Sequence, residues 1–428
     1  MHFLFRIFQK YGNTEFWEEN SKQIANHTVQ NYSEGIISLA IGLISKSQEI
    51  FIYAKVLNFS LKIISTGINQ PTSAEFIKPH IPTILNTHII PLLFLTEKDV
   101  EDFDGDPIEF VRRTKDISEN FYSAKGAALE VITQSTRYKS VKSETAIPDY
   151  LEFFFQYCID NLGEYLKQDQ PDYRIKDSLL LAIGQMAPTL MKYDKFTENC
   201  ESILKEWVFQ DFSSENEFLK YRAWWIYGEF SRLQMDLEHR IEAGKCLFNA
   251  MHEHSLPIKI TASQSLYRML RNKDLKENFK SELARILEAY LALMDSIDND
   301  DLISGLEEIV SIYEDCIEPF AIELCQKIVE NYKRISAKDT EEEYGTLGMA
   351  ASTLVTTTKN ILEAVKLNTE LIKKLEPIIF PMIVKTLTPD GLECFDEAIE
   401  WMNIIMHSCN TVTERMWSLF PHLLKIGK

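Results

Sequence analysis

The chain has 428 residues, 45% hydrophobic and 25% charged, with 25 Phe and 17 Tyr against only 15 Gly and 14 Pro. It is too apolar for a disordered chain, and poorer in glycine than the turns and phosphate loops of compact α/β enzymes require. A formal net charge of -19 repels nucleic acid and anionic lipid and draws basic proteins by long-range attraction, if it serves more than solubility.

The first residues, MHFLFRIFQKYG, lack the basic, apolar and small-residue layout of a signal peptide and open inside an amphipathic helix. The longest run without Asp, Glu, Lys or Arg, Pro79 to Thr96, holds three prolines, two histidines and an asparagine. It makes a poor membrane span.

The stretch EDFDGDPIEFVRRTKD, Glu101 to Asp116, follows. Asp102, Asp104 and Asp106 alternate as in an EF-hand, but the sixth position, where glycine is needed, is Pro107. The twelfth, which needs a bidentate glutamate, is Arg113. Asp106 instead suits an N-cap, with Pro107 in the first helical turn and Glu109 where the dipole favours an acid. Ile108, Phe110 and Val111 would anchor that helix, Arg112 and Arg113 would run along its flank, and Glu101 to Gly105 would be an exposed acidic loop. An ordinary inter-helix linker is the plain alternative.

Beyond it, helical periodicity recurs almost everywhere. Leu283, Ile286, Leu287, Tyr290, Leu291 and Met294 form one stripe, and Leu302, Leu306, Ile309, Val310 and Tyr313 another. Four segments beginning at Tyr173, Leu219, Leu256 and Asp300 look like cousins spaced roughly 40 to 45 residues apart, the period of two-helix HEAT or armadillo units. The fold class read from this is all-α, an α-solenoid superhelix of HEAT-like antiparallel helix pairs in one continuous array over residues 1–428. Trp224 and Trp225 lie about 100° apart on a helix and read as core between repeats. Cysteines at 158, 200, 246, 316, 325, 394 and 409 form no C-x-x-C pair, so they read as reduced thiols with no zinc site. His252 and His254 read as a loop pair without metal. No P-loop, G-x-S-x-G, H-E-x-x-H or G-x-G-x-x-G motif occurs, so neither an enzyme nor a cofactor is expected. Asp339, Glu341, Glu342 and Glu343 form an acidic break, read as a solvated loop or a contact for basic cargo. The last segment, ERMWSLFPHLLKIGK, reads as the first helix of a further unit.

The blocks WVFQDFSSENEFLKYRA, FLKYRAWWIYGEFSRL, PIKITASQSLYRML and DNDDLISGLEEIVSIYEDCIEPFAIELCQKIVENY resemble, in order and spacing, the middle of β-karyopherins of the importin-seven and importin-eight type. FRIFQKYGN, IKPHIPTILNTHIIPLLFLTEKDVEDFDGDPIEFVRR, DSLLLAIGQMAP and MWSLFPHLL extend the resemblance from about Phe3 to Leu424. The export receptor for importin-α shares the acidic-Pro-Glu-aromatic motif but matches DNDDL…YEDCIEPFA less well. The resemblance implies a receptor that shuttles between cytoplasm and nucleus. Its partners would be the GTPase Ran, basic cargo such as ribosomal proteins or histones, and phenylalanine-glycine nucleoporins. It also implies that Glu101, Asp102, Asp104, Asp106 and Glu109 lie where such receptors turn an acidic loop toward Ran. Family members are about twice this length or more, so the stretch reads as their central repeats. A HEAT scaffold without transport function is the alternative.

Overall fold

The computed structural model describes residues 1–12, 19–115, 122–141, 143–297, 300–339 and 349–426. Among these no strand occurs and helix follows helix, as the stripes predict. They form two compact units, Met1–Met235 and Asp236–Lys428.

The first unit holds α1 (His2–Tyr11), α2 (Glu19–Asn31), α3 (Ser33–Lys46), α4 (Ala54–Gly67) and α5 (Pro71–Ile77). From α5 the chain continues through tighter and wider turns to residue 92. Then come α6 (Glu97–Gly105), α7 (Pro107–Lys115), α8 (Ala124–Ser135), α9 (Leu151–Leu166) and α10 (Tyr173–Leu190). A broken helical run over 194–213 leads to α11 (Glu217–Glu229). Helices α4, α8, α10 and α11 lie side by side in one layer, and α10 also packs on α9, α11 on the 209–213 turn.

The second unit holds α12 (Leu237–Ala250), α13 (Leu256–Leu270), α14 (Lys273–Phe279), α15 (Leu283–Ser296) and α16 (Asp300–Ile312). It ends with α17 (Ala321–Asp339), α18 (Met349–Val365), α19 (Thr369–Thr386), α20 (Phe395–Cys409) and α21 (Glu414–Ile426). Here α13, α16, α18 and α20 make one layer, while α15, α17 and α19 make the other. The four cousin segments are α10 and α11 in the first unit and α13 and α16 in the second. In each unit they occupy one layer of a stack of helix pairs, the all-α solenoid fold.

Short polar side chains set the starts. Asp172, Asn216, Asp236 and Asn272 each accept a backbone N–H from the first turn of the helix that follows. The apolar stripes face inward: Leu302, Leu306, Ile309, Val310 and Tyr313 are fully buried. Two wide π turns, Ile84–Ile89 and Ile203–Val208, free carbonyls from the helical ladder. Tyr157 donates to the Asn86 carbonyl at 2.6 Å, and Tyr227 to that of Leu204 at 2.9 Å. Each tyrosine ties its helix to a neighbouring run.

Polar positions at the starts of α10 and α11 form ion pairs between adjacent elements. Lys176 pairs with Asp211 at 2.7 Å and donates to the Trp207 carbonyl at 2.8 Å. Arg222 donates to Asp177 at 2.7 and 3.4 Å and stacks on Trp225 at 4.9 Å. Trp224 lies on Phe212 with centroids 3.7 Å apart. That places it against the run just before α11. Trp225 does reach the preceding helix: a Cβ on Gly184 would stand 2.3 Å from its ring, so only glycine permits the approach.

His252 sits in a turn with Nδ1 at 3.1 Å from the Phe248 carbonyl. Burial pushes the thiols of Cys158, Cys200 and Cys325 up, which keeps them inert as core side chains.

Candidate functional site

The acidic stretch differs from its expected form. Glu101 to Gly105 are not a loop but the end of α6, because Thr96 starts a helix at Glu97. The Thr96 hydroxyl accepts from the Asp99 N–H at 3.1 Å, and the Asp99 carboxylate accepts from the Thr96 N–H at 2.9 Å. That reciprocal pair closes the capping box. Asp106 then caps α7 as expected, accepting from the Glu109 N–H at 3.1 Å, with Pro107 at the first position. Two helices therefore meet at a one-residue corner.

Their apolar sides hold the hairpin down. Phe103 and Phe110 are buried, edge to face at 4.9 Å. Phe103 reaches Phe218 at 4.4 Å and Tyr221 at 6.0 Å on α11. Val111 is buried beside them, whereas Ile108 is 51% exposed and does not anchor the helix. At helical spacing it faces away from the seam that Phe103, Phe110 and Val111 fill.

The five carboxylates consequently have different roles. Asp102 is partly buried and ion-paired with Arg113, which also reaches Asp99 at 3.2 Å. Arg113 thus bridges the two helices, while Arg112 lies along the flank as expected. The Arg112 guanidinium, 2.7 Å from Glu109, holds that carboxyl below its ordinary value. Asp106 is committed to its cap. Glu101 and Asp104 point outward and make no ion pair among the described residues. With Glu97 they fall at positions 0, 4 and 7, one acidic stripe on the outer face of α6. Glu97 was absent from the expected set. The Thr96-x-x-Asp99 spacing is the signal that would have placed it on the same helix.

Lys125, on α8, feels charges of both the hairpin and the α10–α11 pair. Burial pushes the Lys125 ammonium below its ordinary value, and the Asp177 and Asp99 carboxylates act against that shift. The α6–α7 hairpin thus lies within electrostatic reach of the α10–α11 ion pair.

In the other acidic region, α17 ends at Asp339, and Glu341, Glu342 and Glu343 lie outside the described residues. Among the described residues no group of three His, Cys, Asp or Glu side chains is placed to hold a metal. No helix there is long and apolar enough to cross a membrane. A concavity of about 620 Å³ in the second unit is lined by Asp315, Cys316, Glu318 and Lys374 among others.

No protein-family model matches the chain. It is 27% identical to the importin beta-like SAD2 homolog of Arabidopsis thaliana, covering 99% of this chain and 41% of that protein. It is 23% identical to importin-8 of Mus musculus, covering 100% of this chain and 41% of that one. The chain therefore spans about two fifths of these relatives. They bear the names of transport receptors rather than enzymes. Among solved structures, Lph2, a bidirectional nuclear transport receptor of S. cerevisiae, superposes with a TM-score of 0.72 at 15% identity. That match covers 99% of this chain and 47% of Lph2. Kap95 in its work with RanGDP and in complex with Nup1 superposes at 0.55 and 0.57, with 12% identity in each. At such identities the likeness is one of fold.

Proposed function

From a chain similar over nearly its whole length to importin-type β-karyopherins, and carrying their solenoid fold, we propose a stretch of a nuclear transport receptor that binds basic protein surfaces. The similarity across 99 to 100% of the chain carries the reading. The net charge of -19 supports the sign of the partner. Within it, the Glu97, Glu101 and Asp104 stripe is the docking surface, since its carboxylates lie exposed on one face of α6. The 339–343 break is a second contact for basic cargo. Ran and nucleoporins enter as candidate partners because Kap95, similar in fold, is described acting on RanGDP and in complex with Nup1. In this reading the chain is one continuous repeat array that shuttles between cytoplasm and nucleus without catalysis.

The double substitution Glu101→Lys with Asp104→Lys tests the surface. Both side chains are exposed, so the melting curve should stay unchanged. Affinity for GTP-loaded Ran or for core histones, measured by calorimetry, should fall about tenfold or more. Unchanged affinity for both probes would remove the stripe from the account.

A further inference from the structure

His88 lies in the Ile84–Ile89 π turn, its ring buried at 6% exposure. Its Nδ1 is sealed and has no hydrogen-bond partner among the described residues. Burial holds the ring below its ordinary value, and no charged group contributes to that shift. The turn packs on α3 and α9. The charged side chains of those helices, Glu34 and Lys46 on α3 and Glu152, Asp160 and Glu164 on α9, are all exposed. Tyr157, Cys158 and Tyr165, the other titratable groups of α9, are held neutral by burial. No acid is therefore placed to receive an imidazolium, which carries an N–H on both nitrogens. Protonation would leave a charge and a donor where nothing accepts them. The same turn holds two neighbours. Tyr157 of α9 donates to the Asn86 carbonyl, and the Gln48 amide donates to the Thr87 carbonyl, each at 2.6 Å. Gln48 belongs to the loop after α3, on which Ile50, Phe51 and Tyr53 are exposed.

We propose that the π turn around His88 is an acid-sensitive latch: protonating the ring opens the turn and releases the Gln48 loop and the Tyr157 tie. This does not depend on the transport reading. The closed ring resists the proton, so below about pH 6.5 the open form binds more protons than the closed one. The latch is therefore shut above that pH and loosens as pH falls through it. Hydrogen exchange of the 428-residue chain at pH 7.5 and 5.5, corrected for the intrinsic pH dependence of exchange, tests it. In the unsubstituted chain, protection of amides in 84–92 and 47–53 should fall about three- to tenfold at the lower pH. His88→Leu, which cannot be protonated, should show the same protection at both. Should His88→Leu fail to fold, His88→Gln, polar but without a titrating group, should likewise show no dependence on pH. Unchanged protection in the unsubstituted chain, or an equal fall in the folded variant, overturns the latch.

Discussion

Asp177→Ala should lower the stability of the first unit by about 3–5 kcal/mol, the usual cost of leaving a buried charge without its partner. Asp177 and Arg222 are both buried and 45 positions apart, and their bond joins α10 to α11. Removing the carboxylate leaves the buried guanidinium on the Trp225 face without its acid. Replacing both partners, Asp177→Leu with Arg222→Met, should recover most of the loss, since neither apolar side chain needs a partner there. Urea unfolding followed by circular dichroism gives both values. A loss under about 1 kcal/mol for the single variant would mean the pair is solvated and does not tie the layer together.

Lys62→Met should stabilise the chain by about 1–3 kcal/mol at pH 7. Lys62 is buried on α4, its ammonium 5.9 Å from the rings of Phe5 and Tyr122. Burial pushes its pKa down to about 8, partly opposed by Glu130 and aided by Arg6. The folded pKa is below the unfolded one, so between pH 8 and the ordinary lysine value of 10.5 the unfolded chain binds more protons. Stability therefore rises with pH across that window. Below pH 8 the full penalty of the buried charge is present; above the window it is gone. The advantage of Lys62→Met should thus be greatest at neutral pH and shrink toward zero near pH 10.5. Urea midpoints for both proteins at the two pH values measure it. A gain that does not change with pH would assign the effect to packing alone.

Local physics was readable in the residues, and distant pairing was not. The Leu283 and Leu302 stripes are core because a 3.6-residue period leaves apolar side chains one face to occupy. Asp106 capping α7 likewise followed from neighbours in the chain. The acidic stretch departed from its reading for two reasons. The Thr96 and Asp99 box, a local signal, starts a helix where the run of acids suggested a loop. Phe103 then buries on Phe218, 115 positions on, a pairing that periodicity cannot announce. The same limit hid the role of Arg113, which ties Asp102 inside the hairpin. Trp224 was placed in the core by its size, but its contact on Phe212 depended on how the 209–213 turn folds back.

The most direct measurement of the account is the salt dependence of binding between the 428-residue chain and core histones or GTP-loaded Ran. A surface built on outward carboxylates predicts measurable affinity at low ionic strength that falls about tenfold or more as salt rises from roughly 0.05 to 0.3 M, chiefly through slower association. Absence of binding at low salt, or an affinity that salt does not change, would contradict it.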